Sequence, residues 1–144
     1  MKVLVTNKNA YRNYEILETF EAGIELKGTE VKSLSKSQAS INESYINISK
    51  GECFILNMHI SHFFEGNQFN VEQDRTRKLL LHKKEILKLS FKKQKEGMTI
   101  VPINAYWKNG KIKLQIGLAK GKKLYDKRED LKKKDTKKQI KYLY

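Results

Sequence analysis

Residues 106–128 read YWKNGKIKLQIGLAKGKKLYDKR, and the first half of this stretch decides the fold. Asn109-Gly110 supplies the two positive-φ positions of a type I′ turn, and polarity alternates on either side of it. The sequence therefore predicts a β-hairpin over 99–119. A two-residue turn sets the pairing: Trp107 faces Ile112, Ala105 faces Leu114, Ile103 faces Ile116 and Val101 faces Leu118. All eight are apolar and define a core face. The opposite face sets Tyr106 beside Lys113 and Asn104 beside Gln115, which directs Lys113 away from the core. Beyond the hairpin the alternation stops. Lys120-Gly121-Lys122-Lys123 strings three cations around a glycine, where the backbone can approach a phosphate closely.

The chain has 144 residues, enough for one hydrophobic core and an extension. Its net charge is +14, and residues 120–144 alone supply +7 of that. A polyanion is the default partner for such a chain, with RNA, DNA and anionic membrane as the options. Cys53 is the only cysteine, so an intramolecular disulfide is excluded and a reducing compartment is expected. The N-terminal apolar run is far shorter than that of a signal peptide, and no segment approaches membrane-spanning length. A soluble, cytoplasmic protein is the expectation.

Ahead of the hairpin, residues 7–13 (NKNAYRN) are polar and read as a loop. From Tyr14 a long alternation puts Ile16, Phe20, Ala22, Ile24 and Leu26 on one face, and Glu15, Thr19, Glu21, Glu25 and Lys27 on the other. Only Leu17 and Glu18 break it, and the stretch reads as one strand bent at Gly23. Gly28-Thr29 reads as a turn leading into a short helix that carries Val31 and Leu34. A second hairpin turns at Lys50-Gly51, with Cys53 and Ile55 opposite Ile48 and Ile46, and its return strand runs to His59. Residues 60–74 form a long connection of the kind that often binds ligands. Arg75 to Leu81 reads as the start of a helical region, continued by KKEILKLSFKKQKEG and closed by Gly97. Ile86, Leu89 and Ser90 share its inner stripe, with Leu87 and Phe91 beside them. Strands interrupted by two helical insertions predict a mainly β fold, an OB-fold-like antiparallel barrel with a basic C-terminal tail. The division is 1–124 for the barrel and 125–144 for the tail, disordered when free because it holds too few apolar residues to sustain a helix.

Catalysis finds no support in this pattern. Cys53, His59 and His62 match no common zinc spacing, and Cys53 lies on an apolar strand face, so a buried structural cysteine is the reading and no metal is expected. Glu15, Glu18 and Glu21 straddle both faces of one strand, unlike the carboxylates of a metal-dependent nuclease. Ile140, Tyr142, Leu143 and Tyr144 give the tail some apolar character but form no continuous stripe, which weakens a membrane-surface reading.

The motifs GTEVKSL, RTRKLLLHK and YWKNGK…GLAKGKKLYDKRE, in that order, resemble the SsrA-binding protein family, also called small protein B. The resemblance runs from about Asn7 to Glu129. It implies an OB-fold barrel and a non-enzymatic, cytoplasmic RNA-binding protein without cofactor. Its partners would be the tRNA-like domain of transfer-messenger RNA, and the ribosome with its ribosomal RNA. A monomer that does not engage membrane is implied. Glu21, Leu80, His82, Lys113, Lys120, Lys122 and Lys123 match the family's RNA-binding positions. Asp126, Lys127 and Arg128 match the start of the ribosome-engaging tail, which continues here through Lys132, Lys133 and Lys134. The runner-up reading is a generic ribosomal-RNA-binding assembly factor, and a lipid-binding basic protein comes third.

Overall fold

A computed structural model of the chain describes residues 2–63 and 72–121. Among these, the elements run β1 (Lys2–Thr6), α1 (Ala10–Asn13), β2 (Tyr14–Ile24), α2 (Gly28–Ser35), β3 (Ala39–Ser40), β4 (Tyr45–Ser49) and β5 (Glu52–Leu56). They continue with β6 (His59–Ile60), β7 (Arg77–Leu80), α3 (Lys83–Lys95), β8 (Thr99–Lys108) and β9 (Lys111–Gly121). Seven strands pair antiparallel in the order β1-β8-β9-β2-β7-β5-β4, and β3 pairs with β6 apart from them. The long sheet curls until β4 packs against β8, giving an open, OB-like barrel with α2 and α3 inserted between strands. No helix among the described residues is long and apolar enough to cross a membrane.

The predicted hairpin forms β8 and β9, with Asn109 at φ 53° and Gly110 at φ 76°. Trp107–Ile112, Tyr106–Lys113, Ala105–Leu114 and Asn104–Gln115 pair as expected. Past Asn104 the expectation fails by one residue, since Pro102 faces Ile116 and Ile100 faces Leu118. Ile103 is the extra residue of a bulge. Pro102 has no N–H to give the ladder, and Asn7 takes the local carbonyls. Its side-chain amide donates to Pro102 O at 2.8 Å, and its backbone N–H donates to Ile103 O at 2.8 Å. On the other side of β9, β2 also slips, between Ile16 and Glu18, where the alternation of the sequence breaks. Both irregular strands meet β9 at Gly117, paired with Val101 and Thr19. A β-carbon there would come to 3.0 Å from Ile103 Cδ1 and from Ile16 Cγ2.

Four further expectations are corrected. The 7–13 stretch is not all loop but holds α1. Asn9 N–H donates to Asn7 Oδ1 at 2.9 Å and Lys8 N–H to Asn42 Oδ1 at 2.9 Å, so side chains satisfy the backbone and stop the segment unravelling. Gly28-Thr29 lies inside α2, whose N-cap is Lys27. The return strand of the second hairpin breaks at Asn57, φ 60°, so that β6 can pair with β3. Its register (Ile46–Ile55 and Ile48–Cys53) is as expected. The largest correction concerns 77–80, a strand rather than helix, with Arg77 and Leu79 inward and Leu80 outward. It fills the gap between β5 and β2, and that pairing overrides the helical preference of the Leu triplet. α3 begins only at Lys83. Ile86 and Leu89 are buried as its inner stripe, while Leu87 and Phe91 face outward.

Arg77 is inward because it has a buried counter-charge. Its side chain is 0% exposed, and the Glu30 carboxylate it meets at 2.6 Å is 4% exposed. Arg75 reaches the other Glu30 oxygen, also at 2.6 Å, and Lys27 N–H donates to that oxygen at 2.8 Å. Arg77 then donates onward to Met58 O at 2.6 Å, Gln73 O at 3.0 Å and Arg75 O at 3.1 Å. Burial pushes the Glu30 carboxyl up. The hydrogen bonds from Arg75, the Lys27 backbone and Arg77 outweigh it and hold the group below its ordinary value. The resulting stability is fully present above the unfolded carboxylate pKa and is lost as pH falls through the depressed folded value. Glu30→Gln should cost roughly 3–5 kcal/mol, because it leaves Arg77 buried without its charge partner. Urea denaturation checks this. Glu30→Leu combined with Arg77→Met should cost less than the two single changes added, and an additive result would count against the pair.

Candidate nucleic-acid interface

Gly23 is the junction on which the site is built. It pairs with Lys113 of β9 on one side and with Leu80 of β7 on the other. A β-carbon at 23 would stand 3.2 Å from Leu80 Cβ, so glycine lets β7 close in on β2. This close approach gathers Glu21, Gly23, Leu80, Leu81, His82, Glu85 and Lys113 around one depression of about 330 Å³. Leu80 is 49% exposed. His82 is the N-cap of α3, with its backbone N–H donating to Glu85 Oε1 at 3.1 Å. Four of the residues matched to RNA contact (Glu21, Leu80, His82 and Lys113) therefore come together from β2, β7, the α3 cap and β9.

Glu21 is held from across the sheet. Tyr106 Oη donates to its Oε2 at 2.5 Å, and Lys108 Nζ donates to the same oxygen at 3.1 Å. Both partners come from β8, which β9 separates from β2. The Tyr106 hydrogen bond, then that of Lys108, keeps the Glu21 carboxyl below its ordinary value. Burial and the same contact push the Tyr106 phenol well above its own. At neutral pH the site thus contains a fixed carboxylate and a neutral phenol, with Oε1 of Glu21 left without a hydrogen-bond partner among the described residues. The sequence places Glu21 on the polar face but gives no sign of Tyr106 and Lys108 as its clamp, because the contact crosses 85 positions of chain.

The other candidates lie elsewhere. Lys120 pairs with Glu15 at the far end of β9, seven positions from Lys113, or about 23 Å at ~3.3 Å per residue. An odd separation puts it on the opposite strand face, as a continuation of the core-facing row. Lys122, Lys123, Asp126, Lys127, Arg128, Lys132, Lys133 and Lys134 lie outside the described residues. Cys53 is fully buried, and burial pushes its thiol up to about 11, while His59 pairs with Asp74 at 3.0 Å. Glu18 pairs with Lys88 at 2.7 Å. Among the described residues no group of three or more His, Cys, Asp or Glu is arranged to hold a metal ion.

Comparison with known proteins identifies the family. The family model described as SmpB protein matches residues 4–144. An SsrA-binding protein of Ureaplasma parvum serovar 3 is 59% identical over 133 residues, covering 92% of this chain and 94% of that one. One from Pelotomaculum thermopropionicum is 49% identical over 140 residues, covering 97% and 92%. A solved chain from work described as "tmRNA-SmpB: a journey to the center of the bacterial ribosome" superposes with a TM-score of 0.71. It is 45% identical, and the match covers 92% of this chain and 93% of that chain. With a family match over nearly its whole length and relatives this similar, the chain belongs to the SmpB family.

Proposed function

We propose that this chain is an RNA-binding adaptor of trans-translation, which holds the tRNA-like domain of transfer-messenger RNA and brings it to stalled ribosomes. The convergence of Glu21, Leu80, His82 and Lys113 on one depression carries the reading. Relatives named SsrA-binding proteins, and the similar chain from the tmRNA-SmpB ribosome work, support it. Lys113 meets a phosphate, and the exposed Leu80 gives an apolar contact to a sugar or base. The unpartnered Oε1 of Glu21 accepts from a 2′-hydroxyl or a base amino group, which an ionised carboxylate does well. The protein works in the cytoplasm, by binding alone and with no catalytic step. Lys120, Lys122 and Lys123 continue the phosphate contacts beyond the depression. The tail over 125–144 reaches the empty decoding site and messenger path, with Asp126, Lys127, Arg128, Lys132, Lys133 and Lys134 engaging ribosomal RNA.

Three measurements test this. Changing Lys113, Lys120, Lys122 and Lys123 to Ala should flatten the dependence of log affinity on log salt by ~0.7–0.9 for each phosphate no longer neutralised; an unchanged slope in a folded variant removes these lysines from the interface. Glu21→Gln should lower thermal stability modestly, because Tyr106 and Lys108 lose an ionised acceptor, and should weaken binding to the tRNA-like domain, as read by filter binding, whereas equal affinity would make Glu21 a purely structural clamp. A chain stopped after Arg128 should keep transfer-messenger RNA binding but lose tagging in a reconstituted stalled-ribosome assay. Full tagging by that shortened chain would reduce the tail to a solubility appendage.

A further inference from the structure

Beside the depression, and sharing Gly23, Leu80 and Lys113 with it, lies a second cleft of about 370 Å³. This volume is at the small end of the ligand-site range, suited to one ring system rather than an extended ligand. One wall carries Trp107, the single tryptophan of the chain. Ile24 comes from the end of β2, Leu26 from the link that follows it and Val31 from α2, and Leu80 and Ile112 add further apolar surface. Among the described residues, the only ionic groups lining it are Lys111 and Lys113. Trp107 is half-buried, and its indole N–H makes no hydrogen bond among the described residues. An apolar slot with an aromatic wall and two cations fits a planar heterocycle attached to an anion. It does not fit an aliphatic side chain, which has no use for the cations, or a bare phosphate, which has no use for the wall.

We infer that this cleft takes one unstacked nucleobase of the bound RNA, laid against Trp107 with its phosphate toward Lys111 or Lys113. The inference rests on the RNA-binding reading above and refines it. Base stacking on an aromatic side chain tolerates any base, so the cleft selects for a nucleotide already out of the helical stack, and thereby for the folded shape of an RNA loop rather than its sequence. The Glu21 depression and the Trp107 cleft then act as two halves of one reader. The depression contacts backbone and sugar, and the cleft tests whether a base is available to enter.

Trp107 is its own reporter. A tRNA-like-domain transcript of transfer-messenger RNA titrated into the full-length chain should quench the tryptophan emission and shield it from acrylamide. Val31→Phe fills the cleft from α2 while leaving Trp107, Lys113 and Glu21 in place. In that variant, with its fold checked by circular dichroism, the quench should vanish and affinity fall by roughly tenfold to a hundredfold, the loss of one stacked base. Trp107→Phe keeps an aromatic wall and should retain most of the affinity. If the transcript binds with Trp107 emission and acrylamide access unchanged, or binds Val31→Phe as tightly as the parent, the base-in-cleft inference is overturned and the adaptor reading stands. If the parent chain does not bind the transcript at all, the adaptor reading itself falls and takes this inference with it.

Discussion

The Glu30 carboxylate is the constraint on which the described part of the molecule depends. Two guanidinium groups and a backbone N–H converge on it, and through Arg77 it reaches the carbonyls of Met58, Gln73 and Arg75. One charge therefore ties α2 to β7, to the link between β5 and β6, and to the chain that leads into β7. An ion pair this deep is costly to desolvate, and replacing it with apolar residues is often harmless to stability. What such a pair fixes here is position. β7 can lie only where Arg77 meets Glu30, and Leu80 and His82 follow from that. Val31 sits one residue after the carboxylate, so the Trp107 cleft inherits its wall from the same constraint.

The same arrangement explains what can be read from the sequence and what cannot. The turn half of the hairpin is legible because Asn109-Gly110 permits one turn type, and the turn counts outward residue by residue. That counting holds through Asn104 and then fails at Pro102, where a missing N–H and two hydrogen bonds from Asn7 insert an extra residue. Asn7 lies 95 positions away, beyond any local reading. β7 escapes such a reading because its inward residues are Arg77 and Leu79, and a periodicity that counts arginine as polar cannot see a strand whose core position is a salt-bridged arginine. The candidate site divides along similar lines. Alternation alone turns Lys113 outward, whereas Glu21, Leu80 and His82 come from family resemblance. Trp107 reads simply as core, because periodicity gives the face of a strand but not how near it lies to an open edge of the barrel.

Charge is distributed along β9 as much as across it. Lys113 sits at the turn end beside the fixed Glu21 carboxylate, and Lys120 sits at the other end, where the chain goes on to the segment that holds half of the net charge. A polyanion held at the first end still feels the second only weakly, since the two lie about three Debye lengths apart at physiological salt. The strand therefore works as a spacer between two basic regions of different character: one shaped by fixed partners, the other rich in unpatterned lysine.

Gly117 leaves a mark on how such a chain can change over time. It lies beneath both bulges, so that Ile103 from one neighbour and Ile16 from the other close over the space a side chain would need. Any side chain there requires Ile103 or Ile16 to give way. Ile16, Ile103 and Gly117 thus constrain one another across more than 100 positions of chain. A larger residue at 117 therefore calls for a smaller one on both flanks at once, on β2 and on β8.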